Sequence, residues 1–159
     1  MPYALAIAVL VSAPGAAPDL SPLAECKLDF ATAKARLKAM HPTGAQNRSD
    51  DDVTWIVTSY DPGLMRPFGF KATGFEHERW EDEDGQIETV TTTVEAGLAA
   101  VQAKVLASRR MTRCLQPFAA PIANQCMIAP GNQATGMPGV WMREQYGKAR
   151  IECRYDPPD

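Results

Sequence analysis

The side chains best suited to take part in a reaction form the triplet Glu76-His77-Glu78, in which one imidazole lies between two carboxylates in the sequence. A histidine titrates near neutral pH, so His77 could act as a general base beside either carboxylate. In a strand, however, successive side chains point to opposite faces, which separates His77 from both glutamates unless a bulge breaks the alternation. A lone strand histidine is also typical of an ordinary cross-strand contact. We therefore treat His77 as a candidate binding residue.

No metal site is predicted. His41 and His77 are the two histidines of the chain, too few for a histidine-rich site. Acidic residues crowd the stretch that follows the triplet: Glu81, Asp82, Glu83, Asp84 and Glu88. Aligning Gly85 with the glycine of a calcium-binding loop puts Trp80 and Thr91 at the two end positions, where carboxylates are required. We interpret the cluster as a solvated acidic turn, and we expect no metal and no other cofactor.

The motifs of covalent catalysis and of nucleotide binding are also missing from the sequence. It contains neither G-x-S-x-G nor S-x-x-K, and neither of the glycine-rich phosphate loops. The net charge of −3 and the scattered basic residues argue against a nucleic acid partner. We predict no catalytic residue and a function in binding. The alternatives are a small periplasmic hydrolase or isomerase that uses His77 with a neighbouring carboxylate, and a non-catalytic accessory protein of the cell envelope.

Aromatic and charged side chains on half-exposed strands supply the candidate binding residues, because these types dominate the binding energy at interfaces. Trp55, Trp80 and Trp141 could each anchor a ligand or partner. The alternative, which we favour, is that Trp55 lies in the core and the other two are partly buried. The candidate binding residues are His77, Trp80, Trp141 and Arg143. Their partner is expected to be another protein or a small ligand, of an identity that the residues do not define.

The N-terminus and the cysteine content indicate an exported protein. Residues 1–17 form an uncharged apolar run followed by small residues, which is typical of a signal peptide apart from the missing basic residue at its start. The run is shorter than the ~20 residues that a membrane-spanning helix needs, so it is not expected to be a membrane anchor. After its removal, the rest of the chain is expected to show no stable membrane insertion. A buried N-terminal strand is the alternative. Residues 18–159 are then predicted to form a single domain that is periplasmic or secreted.

Four cysteines in an exported chain predict two disulfides. Their spacing fits neither a zinc knuckle nor a C-x-x-C redox motif. Lipidation of Cys26 would leave an odd number of thiols. Three connectivities are possible, and local pinning favours Cys114 with Cys126, which leaves Cys26 with Cys153. Against this pairing, elements that strictly alternate in direction would place Cys26 and Cys153 near opposite ends of the sheet.

Hydrophobic periodicity predicts the elements that position these residues. Apolar residues recur at helical spacing from 22 to 41, and again from near Thr93 to the basic cluster before Cys114, which predicts two helices. The stretch 43–52 is predicted to be a polar loop. Alternating β-branched and aromatic residues predict five strands, over 53–60, 68–80, 86–93, 140–145 and 148–155.

Turn and bulge signals complete the predicted topology. Asp84-Gly85 is typical of a tight hairpin turn, and the change of apolar parity around Gly74 indicates a bulge. Residues 115–138 are rich in proline and glycine, so we predict an irregular segment that is pinned through Cys126. The predicted order is α-β-β-β-α-β-β. This order defines an α+β domain in which a meander and a C-terminal hairpin form an antiparallel sheet, with two helices on one face.

Overall fold

The computed structural model describes residues 19–50, 53–82, 85–115 and 124–156. One fully antiparallel sheet of seven strands dominates these residues, in the order β1-β2-β3-β4-β7-β6-β5. The strands are β1 Pro42–Asp50, β2 Val53–Tyr60, β3 Ala72–Asp82, β4 Gly85–Val94, β5 Gln125–Ala129, β6 Gly139–Gln145 and β7 Lys148–Tyr155. The predicted α+β class with an antiparallel sheet is therefore confirmed, and β4 is its central strand.

Three helices pack against one face of the sheet, which we call the covered face. They are α1 Ser21–Ala24, α2 Phe30–Lys38 and α3 Leu98–Ser108. On β7 this face carries the alternate residues Ile151, Cys153 and Tyr155, all buried. The core that the helices close includes Leu23, Ala33, Leu37, Phe75, Val90, Val94, Val101, Val105, Ile128, Val140, Met142 and Ile151. Burial of these side chains is the main source of stability, at roughly 25 cal/mol per Å² of apolar surface.

The predicted meander of β2, β3 and β4 is confirmed, and the register shift between Ala72 and Gly74 confirms the bulge. The predicted turn is wrong by one residue, because Gly85 belongs to β4 and pairs with Asp82. The intervening residues 83–84 lie outside the described residues. The observed register places Trp80 opposite Ile87, so that two large apolar side chains meet across the hairpin.

The single N-terminal helix that the periodicity predicts is divided into α1 and α2. Cys26 adopts a φ of 56°, in the left-handed region, where a helix does not continue. The second helix then starts afresh with Asp29 as its N-cap, and the Asp29 carboxylate accepts a hydrogen bond from the Thr32 backbone N–H at 2.9 Å. The break lets the chain turn where Cys26 is bound to Cys153.

Residues 43–50 belong to the edge strand β1, so the prediction of a polar loop is wrong there. Backbone hydrogen bonds pair this strand with β2 from Pro42↔Tyr60 to Asp50↔Val53. Its side chains are exposed from Pro42 to Ser49, so the strand has no buried apolar face. The sequence therefore lacks the alternating apolar pattern from which a strand can be predicted. Polar residues on an edge strand also discourage pairing with other chains.

Three further boundaries differ from the sequence prediction. The second predicted strand starts at Ala72 rather than Phe68, because a 3-10 turn, Pro67–Gly69, precedes it. Thr93 stays in β4, and α3 begins at Leu98 after Gly97 as N-cap. The irregular segment 115–138 contains β5 on the far edge of the sheet, while its residues 116–123 lie outside the described residues.

Both predicted disulfides are present. Cys26–Cys153 joins the turn between α1 and α2 to the last strand, and Cys114–Cys126 joins the segment after α3 to β5. The objection to the first pair fails because the break at Cys26 brings it onto the middle of the covered face. Residues 1–17, the predicted signal peptide, lie outside the described residues. Among those described, no helix is long and apolar enough to cross a membrane.

Candidate functional site

The face of the sheet opposite the helices, which we call the open face, gathers tryptophan, arginine and glutamate side chains. Cross-strand partners share a face, so the register assigns its members. Its principal side chains are Trp55, Glu76, Glu78, Trp80, Ile87, Trp141, Arg143, Arg150, Glu152 and Arg154. Aromatic and arginine side chains on one surface are typical of binding sites.

A cleft of about 300 Å³ lies on this face, and only strand residues line it. Trp55 of β2 and Arg143 of β6 both border it, although three strands separate β2 from β6. A flat sheet would place these two strands about 19 Å apart. The shared cleft therefore requires the long side chains of Trp55 and Arg143 to extend toward each other across the open face.

Two guanidinium groups in the cleft are held by one buried carboxylate. Arg154 donates to Glu152 Oε2 from Nη2 at 2.7 Å and from Nε at 3.3 Å, and Arg143 Nε contacts Oε1 of the same carboxylate. The Glu152 side chain is 3% exposed, whereas those of Arg143 and Arg154 are 42% and 40% exposed. The cluster, which we call the Arg-Glu-Arg triad, carries a net charge of +1.

The ring of Trp141 fixes the position of the triad on one side. The Arg154 guanidinium carbon lies 4.6 Å from the centroid of this ring, in cation–π geometry. Arg150 and Glu76 form a neighbouring ion pair on the same face, with 3.0 Å between Nη2 and Oε2. Each arginine is thus held by a carboxylate, which reduces the conformational entropy that a ligand would have to remove on binding.

Three buried polar atoms of the cleft lining have no hydrogen bond within the part of the chain that the structure describes. Two of them, Arg143 Nε and Glu152 Oε1, contact each other as an ion pair, and the third is Nε1 of Trp80, whose indole N–H can only donate. Trp80 lines the cleft together with Trp55 and Ile87. A buried donor without an acceptor is uncommon in folded proteins, because its lost hydration is not replaced.

The structure brings together three of the four candidate binding residues. Trp80 and Arg143 border the same cleft, and Trp141 lies beneath Arg154 at its side, whereas His77 belongs to the covered face. Trp55 is 37% exposed on the open face, so the expectation that it lies in the core is wrong.

Sequence reasoning did not single out Glu152 and Arg154. The signal for them was the alternation of Arg150, Glu152 and Arg154 along β7, which places three charges of alternating sign on one face. The pattern does not show which arginine of β6 completes the cluster, because that depends on the register of the β6–β7 hairpin.

His77 pairs with a different carboxylate from the two beside it in sequence. Its Nε2 lies 2.7 Å from Glu88 Oε2, while Oε1 of Glu88 lies 3.3 Å from Lys34 Nζ of α2. Glu76 and Glu78 point to the open face, as strand alternation requires. No three metal-ligating side chains cluster anywhere in the described ranges. On this geometry the imidazole supports the attachment of α2 to the sheet.

The environment of Glu88 favours its charged form. Burial acts to raise the pKa of this carboxyl, but the hydrogen bond and charge of His77, together with Lys34, outweigh it and hold the pKa below its usual value. The unfolded chain therefore takes up the proton at a higher pH than the folded chain does. Stability from this group is complete above the unfolded pKa and is lost as the pH falls through the lower, folded value.

We expect the Glu88→Gln variant to lose about 2 kcal/mol of unfolding free energy at pH 7, because hydrogen bonds to a charged group are replaced by neutral ones. The parent should lose stability between pH 5 and 3 more steeply than the variant. Urea unfolding at pH 7, 5, 4 and 3 measures both effects. Parallel curves for the two proteins would show that Glu88 does not contribute to the acid sensitivity.

Fold and site together define a small α+β protein with two disulfides and an aromatic, arginine-bearing cleft on the open face of its sheet. Comparison with protein-family models, with curated proteins and with solved structures gives no match. The cleft is therefore the feature of the molecule that bears on its function.

Proposed function

We propose that this is an exported binding protein whose ligand is a small molecule bound in the open-face cleft. The observation that carries the proposal is the Arg-Glu-Arg triad beside Trp55 and Trp80, in a cleft lined by strands. Its volume is at the lower end of the range for small-molecule sites. Rigid strands position these side chains more precisely than loops would.

Export is part of the proposal, and two disulfides support it because such bonds persist in oxidising compartments. The apolar start of the chain supports it independently. The intact mass of native protein checks this part. A chain that keeps Met1 and reacts with an alkylating reagent at four thiols would contradict export.

The alternative of a hydrolase or isomerase built on His77 receives less support from the geometry. His77 is bound to Glu88 on the covered face, away from the cleft, while Glu76 and Glu78 lie across the sheet from it. An accessory protein without a soluble ligand leaves the cleft unexplained. A turnover that the parent protein catalyses and the His77→Ala variant does not would overturn the proposal.

Fragment screening by NMR tests the binding function directly. In ¹⁵N-labelled protein, we expect hits to shift the indole signals of Trp55 and Trp80 and the amide signals of the strands below them. Replacement of Trp80 by leucine should weaken these hits about tenfold, because stacking on an aromatic face is lost. Tyr146→Asn is the control, since Tyr146 is 94% exposed at the β6–β7 turn.

Two outcomes would contradict the proposed function. The first is a diverse library that gives no hit at the open face. The second is a set of hits that bind elsewhere and are equally affected by both substitutions.

A further inference from the structure

We infer that the cleft selects small organic monoanions, namely a carboxylate attached to a flat apolar body. The inference rests on the proposed function, since it names the ligand class of the same cleft. In this arrangement the carboxylate is bound by Arg143 and Arg154, and the apolar body lies against Trp55 and Trp80.

The two arginines of the triad favour a ligand that carries a carboxylate. Glu152 neutralises one of the two guanidiniums, so the triad keeps one positive charge on the side of the cleft formed by β6 and β7. Glu78 on β3 carries a negative charge, so the four charged groups of the lining sum to zero and the positive charge is local to the triad. Arginine has five N–H donors, and a carboxylate that is shared by two arginines leaves several of them free. Because Arg143 and Arg154 are each about 40% exposed, their free edges can reach a ligand. Two fixed guanidiniums fit a planar carboxylate, which accepts paired hydrogen bonds.

The apolar side chains that line the cleft favour a ligand with a flat apolar body. Trp55 and Trp80 are direct partners across β2 and β3, and Ile87 continues the row on β4. These three side chains form an apolar surface at the end of the cleft away from Arg143. Contact with this surface would remove the apolar body of the ligand from water.

Glu78 supplies the selection for a single negative charge. Glu78 lies on β3, between the strands that carry Trp55 and Arg143, and it forms no ion pair with any residue that the structure describes. A second anionic group on the ligand would be repelled by this carboxylate. Dianions should therefore bind less tightly than monoanions of the same size.

Three matched probes test the inference by NMR titration of the full mature chain: 2-naphthoate, its neutral amide 2-naphthamide, and 2,6-naphthalenedicarboxylate. We expect the naphthoate to bind at least about tenfold more tightly than the amide, because the amide lacks the charge that the arginines recognise. The dicarboxylate should bind about threefold or more weakly than the naphthoate.

Substitutions in the cleft test which residues cause the differences in affinity between the three probes. Arg143→Gln and Arg154→Gln should each reduce the naphthoate affinity about fivefold or more and leave the naphthamide affinity unchanged. Glu78→Gln should favour the dicarboxylate and remove its disadvantage. Arg36→Gln removes an exposed positive charge from α2, on the covered side, and serves as the control. Unchanged amide binding shows that a variant is still folded.

Equal affinities for the naphthoate and the amide at this cleft would overturn the carboxylate class and leave the proposed binding function intact. Hits in the fragment screen that are all neutral or cationic would do the same. If neither the probes nor the library shift any open-face signal, both the inference and the proposed function fail.

Discussion

Replacing Cys26 and Cys153 together by alanine should lower the free energy of unfolding by about 5 kcal/mol. The two residues are 127 positions apart, and in the chain-entropy description a cross-link stabilises more as the loop that it closes grows. Both are almost fully buried, so alanine removes the bond without adding a polar group to the core. A loss of this size approaches the whole stability of many small domains. Chemical denaturation at 25 °C, read by circular dichroism, measures it.

The second disulfide provides the matched comparison. Cys114 and Cys126 are 12 positions apart, so their replacement by alanine should cost only about 3 kcal/mol. The larger loss is therefore expected for the Cys26–Cys153 variant, because its cross-link closes the longer loop. If the Cys114–Cys126 variant is the less stable of the two, loop length does not govern stability in this protein.

The sequence is informative about the centre of this fold because strands buried on one face alternate regularly. In β7, Ile151, Cys153 and Tyr155 lie on the covered face, and Arg150 and Glu152 lie on the open face, as period-two patterning predicts. The cysteine pairing could also be anticipated, because local pinning leaves one long-range pair.

The edges of the fold are less visible in the sequence. An edge strand such as β1 is held by backbone hydrogen bonds, which every residue except proline can donate, so its side chains carry no pattern. The break at Cys26 is hidden for another reason. The apolar stripe Leu23, Cys26, Phe30 continues through it at helical spacing, although a φ of 56° ends the helix.

The site depends on register, which a sequence specifies only weakly. Strand parity separates His77 from Glu76 and Glu78, but the neighbour that His77 contacts, Glu88, follows from a turn one residue away from the predicted one. In the same way, parity places Glu152 on the open face, and only the β6–β7 register brings Arg143 to it.

The Tyr155→Ala variant should lose about 4 kcal/mol of unfolding free energy, the usual cost of deleting a large buried aromatic side chain. Tyr155 is 2% exposed, and its ring centroid lies 5.7 Å from that of Phe30 in α2. Its hydroxyl donates to the Leu28 carbonyl oxygen at 3.2 Å. Burial raises the pKa of this hydroxyl, so it remains a neutral donor at neutral pH. Urea unfolding of the parent and the variant measures the loss.

Tyr155→Phe separates the two contributions, since it keeps the ring and removes the hydroxyl. It should cost about 1 kcal/mol, the net value of one hydrogen bond. A phenylalanine variant as unstable as the alanine variant would assign the effect to the Leu28 bond instead of ring packing. The adjacent residue, Arg154, points to the opposite face, so both variants should bind 2-naphthoate within about threefold of the parent while they are folded. A larger loss would mean that packing against α2 controls the positions of the side chains that line the cleft.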